Sequence, residues 1–236
     1  MKPLYKRILL KLSGEGLMGD KAFGMDDQVI RALAEQISRV RALGVEVCLV
    51  VGGGNIFRGA REASKGLNRS VADQVGMLAT VMNALYLQNA LEKLGIEARV
   101  LSGLSIPEVC EDYIYRRALR HLQKKRVLIF AAGTGNPYFT TDTGAALRAS
   151  EMGCDALLKA TQVDGVYNAD PKTHADAVKY KEISYDQVIA EGLKVMDLTA
   201  VSLAKDNRIP IVVFAQKGEN ALLDAVTGQG EFTIIK

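Results

Sequence analysis

Short apolar runs rich in β-branched residues alternate with helix-like segments along the whole chain. The six runs are RILLKL (7–12), VEVCLVV (45–51), IEARVL (96–101), RVLIFA (126–131), DALLKAT (155–161) and IPIVVF (209–214). Runs that are apolar on both faces are typical of buried strands. Their alternation with helices favours a mainly parallel sheet covered by helices on both sides. We therefore predict an α/β fold, a three-layer αβα sandwich, in one domain over residues 1–236.

The segments between these runs predict the helices. The clearest begins after Asp26, a good N-cap residue, and stops at Gly44. Its apolar positions recur at helical spacing: Ile30, Leu33, Ile37 and Val40. Further helices are predicted near residues 70–93, 116–125, 141–153, 198–206 and 220–227.

The predicted helix from Ser70 to Leu91 is apolar over more of its surface than one core-facing stripe requires. Its apolar residues are Val71, Val75, Met77, Leu78, Val81, Met82, Leu85, Leu87 and Leu91. Two explanations remain open. The helix is either central in the core or covered in part by a second subunit.

Charge and hydropathy exclude several classes of protein. The net charge of +3 comes from 30 basic and 27 acidic residues, so the chain lacks the broad basic surface of proteins that bind nucleic acid polymers. No apolar stretch reaches the length of a transmembrane helix. The apolar run near the N-terminus is short, is interrupted by Lys11 and lacks a cleavage site, unlike a signal peptide. We expect a cytoplasmic protein with neither membrane nor nucleic acid polymer as a partner.

Cysteine and histidine suggest little chemistry. Cys48, Cys110 and Cys154 are widely spaced in apolar segments, without the spacing of a metal or redox site, and we expect them to be reduced. His121 and His174 are the only histidines, which argues against a multi-histidine metal site or a His-based triad. We expect both histidines at the surface.

Three of the predicted strands run into glycine-rich loops. The segments are KLSGEG (11–16), GGGNIFRG (52–59) and AGTGNPYFTTD (132–142). Ligands of a parallel sheet bind beyond the carboxyl ends of its strands, and glycine lets backbone N–H groups approach an anion closely. One such loop indicates only a tight turn, but three together predict a site for several phosphates.

This phosphate site differs from the two common nucleotide fingerprints. No GxxxxGK[ST] motif is present, and both GGGNIF and GTGNPY lack the third glycine of GxGxxG. The cation must come from elsewhere, and Lys11 and Arg58 stand beside the first two loops. Lys11 could offset charge on a transferring phosphoryl group, or it could reach water as an ordinary strand-end lysine. Arg58 could bind a phosphate in bidentate fashion.

Several acidic residues have ordinary structural explanations as well as functional ones. Asp142 fits the first turn of a helix, where a carboxylate balances the dipole. Asp73 fits a capping box that begins at Ser70, and Asp197 fits an N-cap. The segment TQVDGVYNADPK (161–172) by itself indicates only turns.

Together these motifs resemble those of the bacterial uridylate kinases in the amino-acid kinase superfamily. The resemblance covers nearly the whole chain: KLSGE from Lys11, GGGNIFRG from Gly52, ADQVGMLATVMN from Ala72, AGTGNPYFTTD from Ala132, LKATQVDGVYNADP from Leu158 and KVMDLTA from Lys194. It implies an amino-acid kinase-like fold and transfer of the γ-phosphoryl group of ATP to UMP. The GTGNPYFTTD segment and Asp73 are what indicate UMP as the acceptor.

The resemblance also implies roles for individual residues. At the ATP phosphates it places Lys11, Leu12, Ser13, Gly14, Gly54 and Arg58, and at the rest of the adenine nucleotide Thr161, Tyr167 and Asp170. At UMP it places Gly53, Asp73 and an acceptor loop made of Thr134, Gly135, Asn136, Pro137, Tyr138, Phe139, Thr140 and Thr141. The implied catalytic set is Lys11, Arg58, Asp142 and Asp197. In this set Asp197 orients the phosphate-binding lysines and Asp142 supports it.

Assembly, cofactor and regulation are implied by the same resemblance. Members of the family are typically hexamers built from dimers, which agrees with the apolar helix at 70–91, and Mg²⁺ accompanies ATP. The N-terminal part would bind the acceptor and form the oligomer, and the C-terminal part would bind ATP. The segment linked to activation by GTP is here Gly19, Asp20, Lys21, Ala22, Phe23 and Gly24, of which only the glycines and Phe23 match the family pattern. Activation by GTP and inhibition by UTP are therefore weaker expectations than the activity.

Two other functions remain open. The chain could be a superfamily kinase with another small acceptor, or a non-catalytic nucleotide-binding regulator on the same scaffold. A dinucleotide-binding oxidoreductase is disfavoured because the third fingerprint glycine is missing.

Overall fold

The computed structural model describes residues 1–58, 66–171, 173–174 and 176–236. Gly59 and Lys172, which end two of the sequence motifs, lie outside the described residues. The strands are β1 (Arg7–Leu12), β2 (Glu46–Val51), β3 (Ala98–Ser102), β4 (Glu111–Asp112), β5 (Val127–Ala131), β6 (Ala156–Thr161), β7 (Val166–Tyr167), β8 (Lys179–Tyr180), β9 (Glu182–Ile183), β10 (Ile211–Ala215) and β11 (Phe232–Ile235). The helices are α1 (Asp27–Ala42), α2 (Arg69–Lys93), α3 (Tyr115–Gln123), α4 (Thr141–Glu151), α5 (Tyr185–Ala190), α6 (Leu198–Asp206) and α7 (Ala221–Thr227), with a 3-10 turn at Glu15–Leu17.

Within the described residues, nine strands form one sheet in the order β4-β3-β5-β2-β1-β6-β10-β11-β9, and β7 pairs with β8 in a separate antiparallel ribbon. Every neighbouring pair in the large sheet is parallel except β10 and β11. All six strands predicted from the sequence are present in it. Strand β1 lies at the centre, where Lys11 is opposite Val50 of β2 on one side and Lys159 of β6 on the other.

The sheet separates two hydrophobic cores. Leu10 of β1 belongs to the core beneath α1, α2 and α7, and the adjacent Leu9 belongs to the core beneath α3, α4, α5 and α6. Successive strand residues point to opposite faces, so a strand buried on both faces needs apolar residues at nearly every position. The fold is thus the predicted three-layer αβα sandwich with a mainly parallel central sheet.

The ends of α1 follow the sequence signals. Asp26 is its N-cap and accepts hydrogen bonds from the N–H groups of Gln28 and Val29. Gly44 lies just beyond its end with a φ of 85°, in the left-handed region that glycine adopts without strain. The prediction for α1 is therefore confirmed at both ends.

The start of α2 differs from the predicted capping box. Its N-cap is Asn68, whose side chain accepts hydrogen bonds from the N–H groups of Ser70 and Val71. The capping box of Ser70 and Asp73 is therefore wrong, because the helix begins one residue before Ser70. The Asp73 side chain instead reaches residues of the acceptor loop.

Helix α2 has two apolar sides, and only one of them packs on the sheet. Met77, Val81, Ala84, Leu87 and Leu91 are buried in the core. The other side carries exposed apolar residues at helical spacing: Val71, Leu78, Met82 and Tyr86, with Leu78 at 48% and Met82 at 52% exposure. A purely central position in the core is therefore wrong for this helix, because each of these four side chains is about half exposed to solvent.

One histidine differs from expectation. His121 is buried, with Nε2 3.1 Å from Glu111 Oε2 and Nδ1 3.1 Å from Arg126 Nη1. The expected surface position is thus wrong for His121, because α3 turns it toward the sheet edge, whereas His174 is exposed. The three cysteines are free thiols, as expected. Among the helices of the described residues, none has the length and apolar character needed to span a membrane.

Candidate active site

Three glycine-rich loops meet beyond the carboxyl ends of the central strands. A Cβ added to Gly14 would lie 2.6 Å from Asn55 Oδ1 and 2.7 Å from the carbonyl oxygen of Gly52. A Cβ on Gly53 would lie 2.8 Å from the carbonyl oxygen of Gly76 in α2. Glycine is required at these positions because the loop after β1, the loop after β2 and helix α2 touch through their backbones. The predicted convergence of glycine loops is therefore present.

Two lysines and one carboxylate form a buried cluster beside these loops. Lys11 Nζ lies 2.6 Å from Asp142 Oδ1, and Lys159 Nζ lies 2.7 Å from Asp142 Oδ2. Lys159 also donates a hydrogen bond to the carbonyl oxygen of Val195. The three side chains are only 10%, 12% and 14% exposed. The alternative in which Lys11 simply reaches water is wrong, since its ammonium group is buried in an ion pair.

The chain builds this cluster from regular elements. Lys11 and Lys159 are opposite each other on β1 and β6, so their side chains emerge on the same face of the sheet. Asp142 lies in the first turn of α4, whose N-cap is Thr140. The dipole explanation of Asp142 is compatible with this position but incomplete, because the carboxylate also joins two cations.

Burial and charge act against each other in the cluster. Burial opposes ionisation of Asp142, but Lys11 and Lys159 outweigh it and hold the pKa of this carboxyl below its ordinary value. Burial lowers the pKa of Lys159, and attraction to Asp142 offsets only part of this effect. With both ammonium groups charged, the cluster carries one net positive charge and is suited to an anionic ligand.

Asp197 contacts the start of α4 rather than the lysine side chains. As predicted for an N-cap, it accepts a hydrogen bond from the N–H group of Ala200 in α6. Its carboxylate also accepts hydrogen bonds from the hydroxyls of Thr140 and Thr143, the latter at 2.9 Å. The structure therefore gives Asp142 the direct contacts with the lysines, whereas Asp197 fixes the start of α4.

Lys159 is the residue that the sequence analysis missed. It stands in the predicted strand DALLKAT and in the motif LKATQVDGVYNADP, but neither led to a role for this lysine. A lysine in an otherwise apolar strand is the same signal that singled out Lys11. Comparing the two strands would have found it, because both lysines precede the end of an apolar run by one or two residues.

Arg58 lies near the loops but outside the lysine cluster. Its Nη2 lies 2.6 Å from Glu15 Oε1, and its Nε donates to the carbonyl oxygen of Gly54 at 3.3 Å. The side chain is about half exposed. Glu15 thus holds the guanidinium group in this structure, at the rim of the site.

A cavity of about 210 Å³ lies between α2 and the acceptor loop. Of the residues predicted at the acceptor, those that line it are Gly53, Asp73, Asn136, Phe139, Thr140 and Thr141. Thr134, Gly135, Pro137 and Tyr138 belong to the same loop and are not among the lining residues. The sequence analysis missed Arg69, Phe57 and Thr80, which also line the cavity.

Asp73 connects the two walls of this cavity. Its Oδ2 accepts hydrogen bonds from Arg69 Nε at 2.7 Å and from the N–H group of Tyr138 at 2.8 Å. The Arg69 guanidinium group lies over the Tyr138 ring, 5.6 Å from its centre. Tyr138 has a φ of 73°, which is uncommon for a residue other than glycine. The acceptor loop is therefore pinned to the start of α2.

A larger cavity, of about 620 Å³, is bordered by Lys159 of the lysine cluster. It is lined by Thr161, Tyr167 and Asp170, as predicted for a nucleotide, and also by Lys159. The Tyr167 hydroxyl donates to Asp164 Oδ1 at 2.6 Å, and this hydrogen bond raises the pKa of the tyrosine. Because Lys159 borders this cavity and contacts Asp142, the cavity opens onto the cluster.

The segment 19–24 lies apart from both cavities. Gly19 and Asp20 line a groove of about 440 Å³ along α1. Lys21, Ala22 and Phe23 are exposed, and Gly24 exchanges two hydrogen bonds with Asn55. Through Asn55 this segment contacts the loop after β2.

Comparisons with known proteins agree with this geometry. The family model described as "Amino acid kinase family" matches residues 6–215. A curated uridylate kinase of Paramagnetospirillum magneticum is 59% identical over 231 residues, which is 98% of this chain and 96% of the relative.

Two solved structures of UMP kinases have the same fold. That of Ureaplasma parvum is 37% identical, with a TM-score of 0.94 over 100% of this chain and 99% of the other. That of Bacillus anthracis is also 37% identical, with a TM-score of 0.94 over 98% and 96% of the two chains. On the family match, the sequence identity and the shared fold, this chain belongs to the amino acid kinase family.

Proposed function

We infer that this chain transfers the γ-phosphoryl group of ATP to UMP, giving UDP and ADP. The observation that carries the inference is the Lys11–Asp142–Lys159 cluster, of which Lys159 lines the larger cavity, while Thr141, next to Asp142, lines the smaller one. The smaller cavity is lined by residues that the resemblance implies for UMP, and the larger one by residues that it implies for an adenine nucleotide. The relatives named above are uridylate kinases and UMP kinases, which supports this assignment.

For the ATP side we propose the following contacts. The phosphates lie on the backbone of the loop after β1, at Lys11, Leu12, Ser13 and Gly14, with Gly54 and Arg58 at the rim. The adenosine lies in the larger cavity at Thr161, Tyr167 and Asp170. The C-terminal part of the chain would thus bind most of the ATP molecule.

For the acceptor side we propose that UMP occupies the smaller cavity. Gly53 would face its phosphate, Asp73 its ribose hydroxyls, and the acceptor loop from Thr134 to Thr141 its base. Because Asp73 already accepts hydrogen bonds from Arg69 and Tyr138, its carboxylate is held in place before the acceptor arrives. The N-terminal part would thus bind the acceptor.

The chemistry requires positioning and charge rather than a base. Phosphoryl transfer proceeds in line through a loose transition state with charge spread over the equatorial oxygens. A phosphate monoester with a second pKa of about 6 is largely dianionic at neutral pH and needs no deprotonation. Lys11 and Lys159 would offset the charge on the transferring group, and Asp142 would hold both ammonium groups in position.

Mg²⁺ is expected to accompany ATP. It prefers oxygen ligands, keeps several waters and commonly bridges nucleotide phosphates. Both carboxylate oxygens of Asp142 already contact a lysine. We therefore propose that ATP phosphates and water, rather than this carboxylate, provide most of the ligands of the ion.

We further propose a homohexamer that acts in the cytoplasm in pyrimidine nucleotide biosynthesis. The exposed apolar side of α2 supports self-association, because a patch of this kind on a helix favours burial against a partner. GTP as activator and UTP as inhibitor remain proposals that rest on the family resemblance. The segment 19–24 supports them only through its contact with Asn55.

One assay tests the function. ADP formation is measured with MgATP and each of UMP, CMP, dTMP and AMP, with carbamate and an isoprenoid phosphate as non-nucleotide acceptors. We expect UMP to be turned over with the highest kcat/KM. Turnover of another acceptor but not of UMP would overturn the substrate assignment. Binding of ATP and UMP without UDP formation would instead show a non-catalytic regulator.

Regulation is tested in the same assay. GTP and UTP are added separately at subsaturating UMP. We expect GTP to raise the rate and UTP to lower it. Unchanged rates with both nucleotides would contradict the proposed regulation and leave the activity itself intact.

A further inference from the structure

A polar amide is buried in the core side of helix α2. Asn83 has no solvent exposure, and Val81, Ala84 and Leu87 on the buried side of this helix are apolar. Its Nδ2 donates to the carbonyl oxygen of Gly52 at 2.7 Å and to Asn55 Oδ1 at 2.7 Å. Its Oδ1 accepts from Asn55 Nδ2 at 3.0 Å. The Asn83 and Asn55 side chains thus form a reciprocal amide pair.

Both partners of Asn83 belong to the loop after β2. Gly52 immediately precedes Gly53 and Gly54, the residues proposed to face the two phosphates, and Asn55 follows them. The Asn83 side chain therefore forms hydrogen bonds with residues at both ends of this glycine turn. Since the glycines have no side chains, side-chain packing of their own cannot hold this turn in place.

The Gly52 carbonyl oxygen and Asn55 Oδ1 also limit how closely the loop after β1 can approach. The Cα of Gly14 lies against Asn55 Oδ1 and the Gly52 carbonyl, which an added Cβ would approach to 2.6 and 2.7 Å. Asn83 is bonded to both of these atoms. A shift of its amide would therefore move the surface on which the first loop rests.

A buried amide is costly unless its donors and acceptor are paired. An apolar residue would satisfy the packing of α2 on the sheet, so packing alone does not explain an asparagine here. The three hydrogen bonds that Asn83 forms with the glycine turn explain the asparagine at this position. Asn55 extends the connection, because its Nδ2 also donates to the carbonyl oxygen of Gly24 at 2.8 Å.

We propose that Asn83 is a positioning residue for phosphoryl transfer, which acts through Gly52 and Asn55 to hold the turn at Gly53 and Gly54. It touches neither nucleotide and supplies no charge. This inference rests on the proposed function, since it concerns the rate of that reaction. It also makes a structural claim that is independent of turnover.

The first test compares Asn83→Leu with Leu87→Ala. Leu87 is fully buried one helical turn further along α2, so its truncation weakens the same packing without touching the glycine turn. We expect Asn83→Leu to lower kcat about 10- to 100-fold, the scale for displacing reacting groups by about 1 Å. We expect Leu87→Ala to lower the melting temperature at least as much and to leave kcat within about twofold.

The second test does not depend on catalysis. Hydrogen exchange is measured on peptides that cover residues 50–57 and 11–17, without ligands. We expect faster exchange in both peptides for Asn83→Leu and unchanged exchange there for Leu87→Ala. This measurement remains valid if UMP proves not to be the acceptor, so it separates failure of this inference from failure of the proposed function.

Further outcomes decide the proposal. Asn55→Ala should lower kcat as Asn83→Leu does, and the double variant should be no worse than the more severe single variant, because the two amides act as one unit. If Asn83→Leu does not fold, Asn83→Ser is used with the same expectations. A kcat within twofold of the parent, or equal losses in Leu87→Ala, would overturn the proposal.

Discussion

Lys11 and Lys159 share one carboxylate, so the positive charge at the site is fixed before any nucleotide binds. The ion pairs at 2.6 and 2.7 Å hold both ammonium groups where β1 and β6 end. Such preorganised charge lowers a barrier because no reorganisation is needed during the reaction. The importance of these residues therefore lies in the rate more than in nucleotide binding.

We predict that Lys11→Met lowers kcat by roughly 10²–10³-fold, the scale for losing one preorganised donor. The change removes one cation from the cluster and leaves Asp142 paired with Lys159. Steady-state kinetics with ATP and UMP would measure it. Lys205→Met, which removes an exposed lysine paired with Asp186, is the matched control. Near-normal turnover by folded Lys11→Met would refute the role.

The pKa of Asp142 predicts a dependence of stability on pH. Despite burial, the two lysines hold this pKa below the ordinary value of about 3.9. A carboxyl whose pKa is lower in the folded state stabilises the fold above the unfolded-state pKa and loses this contribution as pH falls through the folded-state pKa. The free energy of unfolding of the parent should therefore fall below about pH 4.

The Asp142→Asn variant isolates the contribution of this carboxylate to stability. The difference in unfolding free energy between the parent and Asp142→Asn should be largest near pH 7 and should shrink below about pH 4, where the parent carboxylate also loses its charge. Denaturant titrations between pH 3 and 7 would measure it. A difference that does not change with pH would contradict the ion-pair explanation.

Asp73→Asn should raise the apparent KM for UMP about tenfold or more, because a charged hydrogen-bond acceptor is lost in the smaller cavity. The KM for ATP should change little, since Asp73 does not line the larger cavity. Initial rates measured with each substrate varied in turn separate the two effects. Asp206→Asn, at the end of α6, is a suitable control. An unchanged requirement for UMP would contradict the proposed ribose contact.

At the level of single residues, the sequence predicted those that stand in glycine-rich or turn-rich motifs. It pointed to Lys11, Asp73 and Asp142 because each broke a local expectation or sat in a recognisable motif. Asn83 was not predicted because its partners are distant in sequence: it hydrogen-bonds to Gly52 and Asn55, about thirty positions earlier. Contacts of this kind arise from the packing of α2 on the sheet and leave no local periodicity.

Helix α2 is the element that faces both the site and the exterior. Its core side holds Asn83 and Thr80, whose hydroxyl accepts a hydrogen bond from the N–H group of Ala132 at 2.7 Å. Its outer side exposes Leu78, Met82 and Tyr86. One helix thus connects two of the glycine loops with the surface that we propose for self-association.

We predict that Leu78→Glu combined with Met82→Glu reduces the oligomeric mass, because two charges would be buried at the proposed contact. Sedimentation equilibrium at micromolar concentration would measure the mass. Val178→Glu, at an exposed apolar residue outside α2, should leave it unchanged. A parent protein that sediments as a monomer would exclude the proposed association.

Among the elements, those with a long periodic signal were predicted and the short ones were not. The six buried strands and six of the helices follow from apolar runs and caps. Strands β4, β7, β8 and β9 have two residues each, too few for any periodicity to appear. Their pairing depends on neighbouring strands, as does the antiparallel addition of β11 to β10.

At the scale of the whole molecule, Lys159 of the cluster lines the larger cavity, and Thr141, next to Asp142, lines the smaller one. This arrangement predicts direct transfer between two bound nucleotides without a phosphorylated protein. Initial rates should give intersecting rather than parallel lines. Exchange of label between ADP and ATP should require UMP. Rapid exchange in its absence would indicate a covalent intermediate and contradict the arrangement.

The order of the strands also predicts where the molecule begins to unfold. Strands β2, β1 and β6, whose carboxyl ends lead to the glycine turn, Lys11 and Lys159, lie side by side in the middle of the sheet. The outermost strands of the described sheet, β4 and β9, have two residues each. Proteins open locally first where few buried contacts and exposed hydrogen bonds occur. On mild heating, the two edges of the sheet at β4 and β9 should therefore unfold locally before the central strands that carry the lysine cluster. Peptide tags or surface attachment at those margins should be tolerated better than any insertion near β2, β1 or β6.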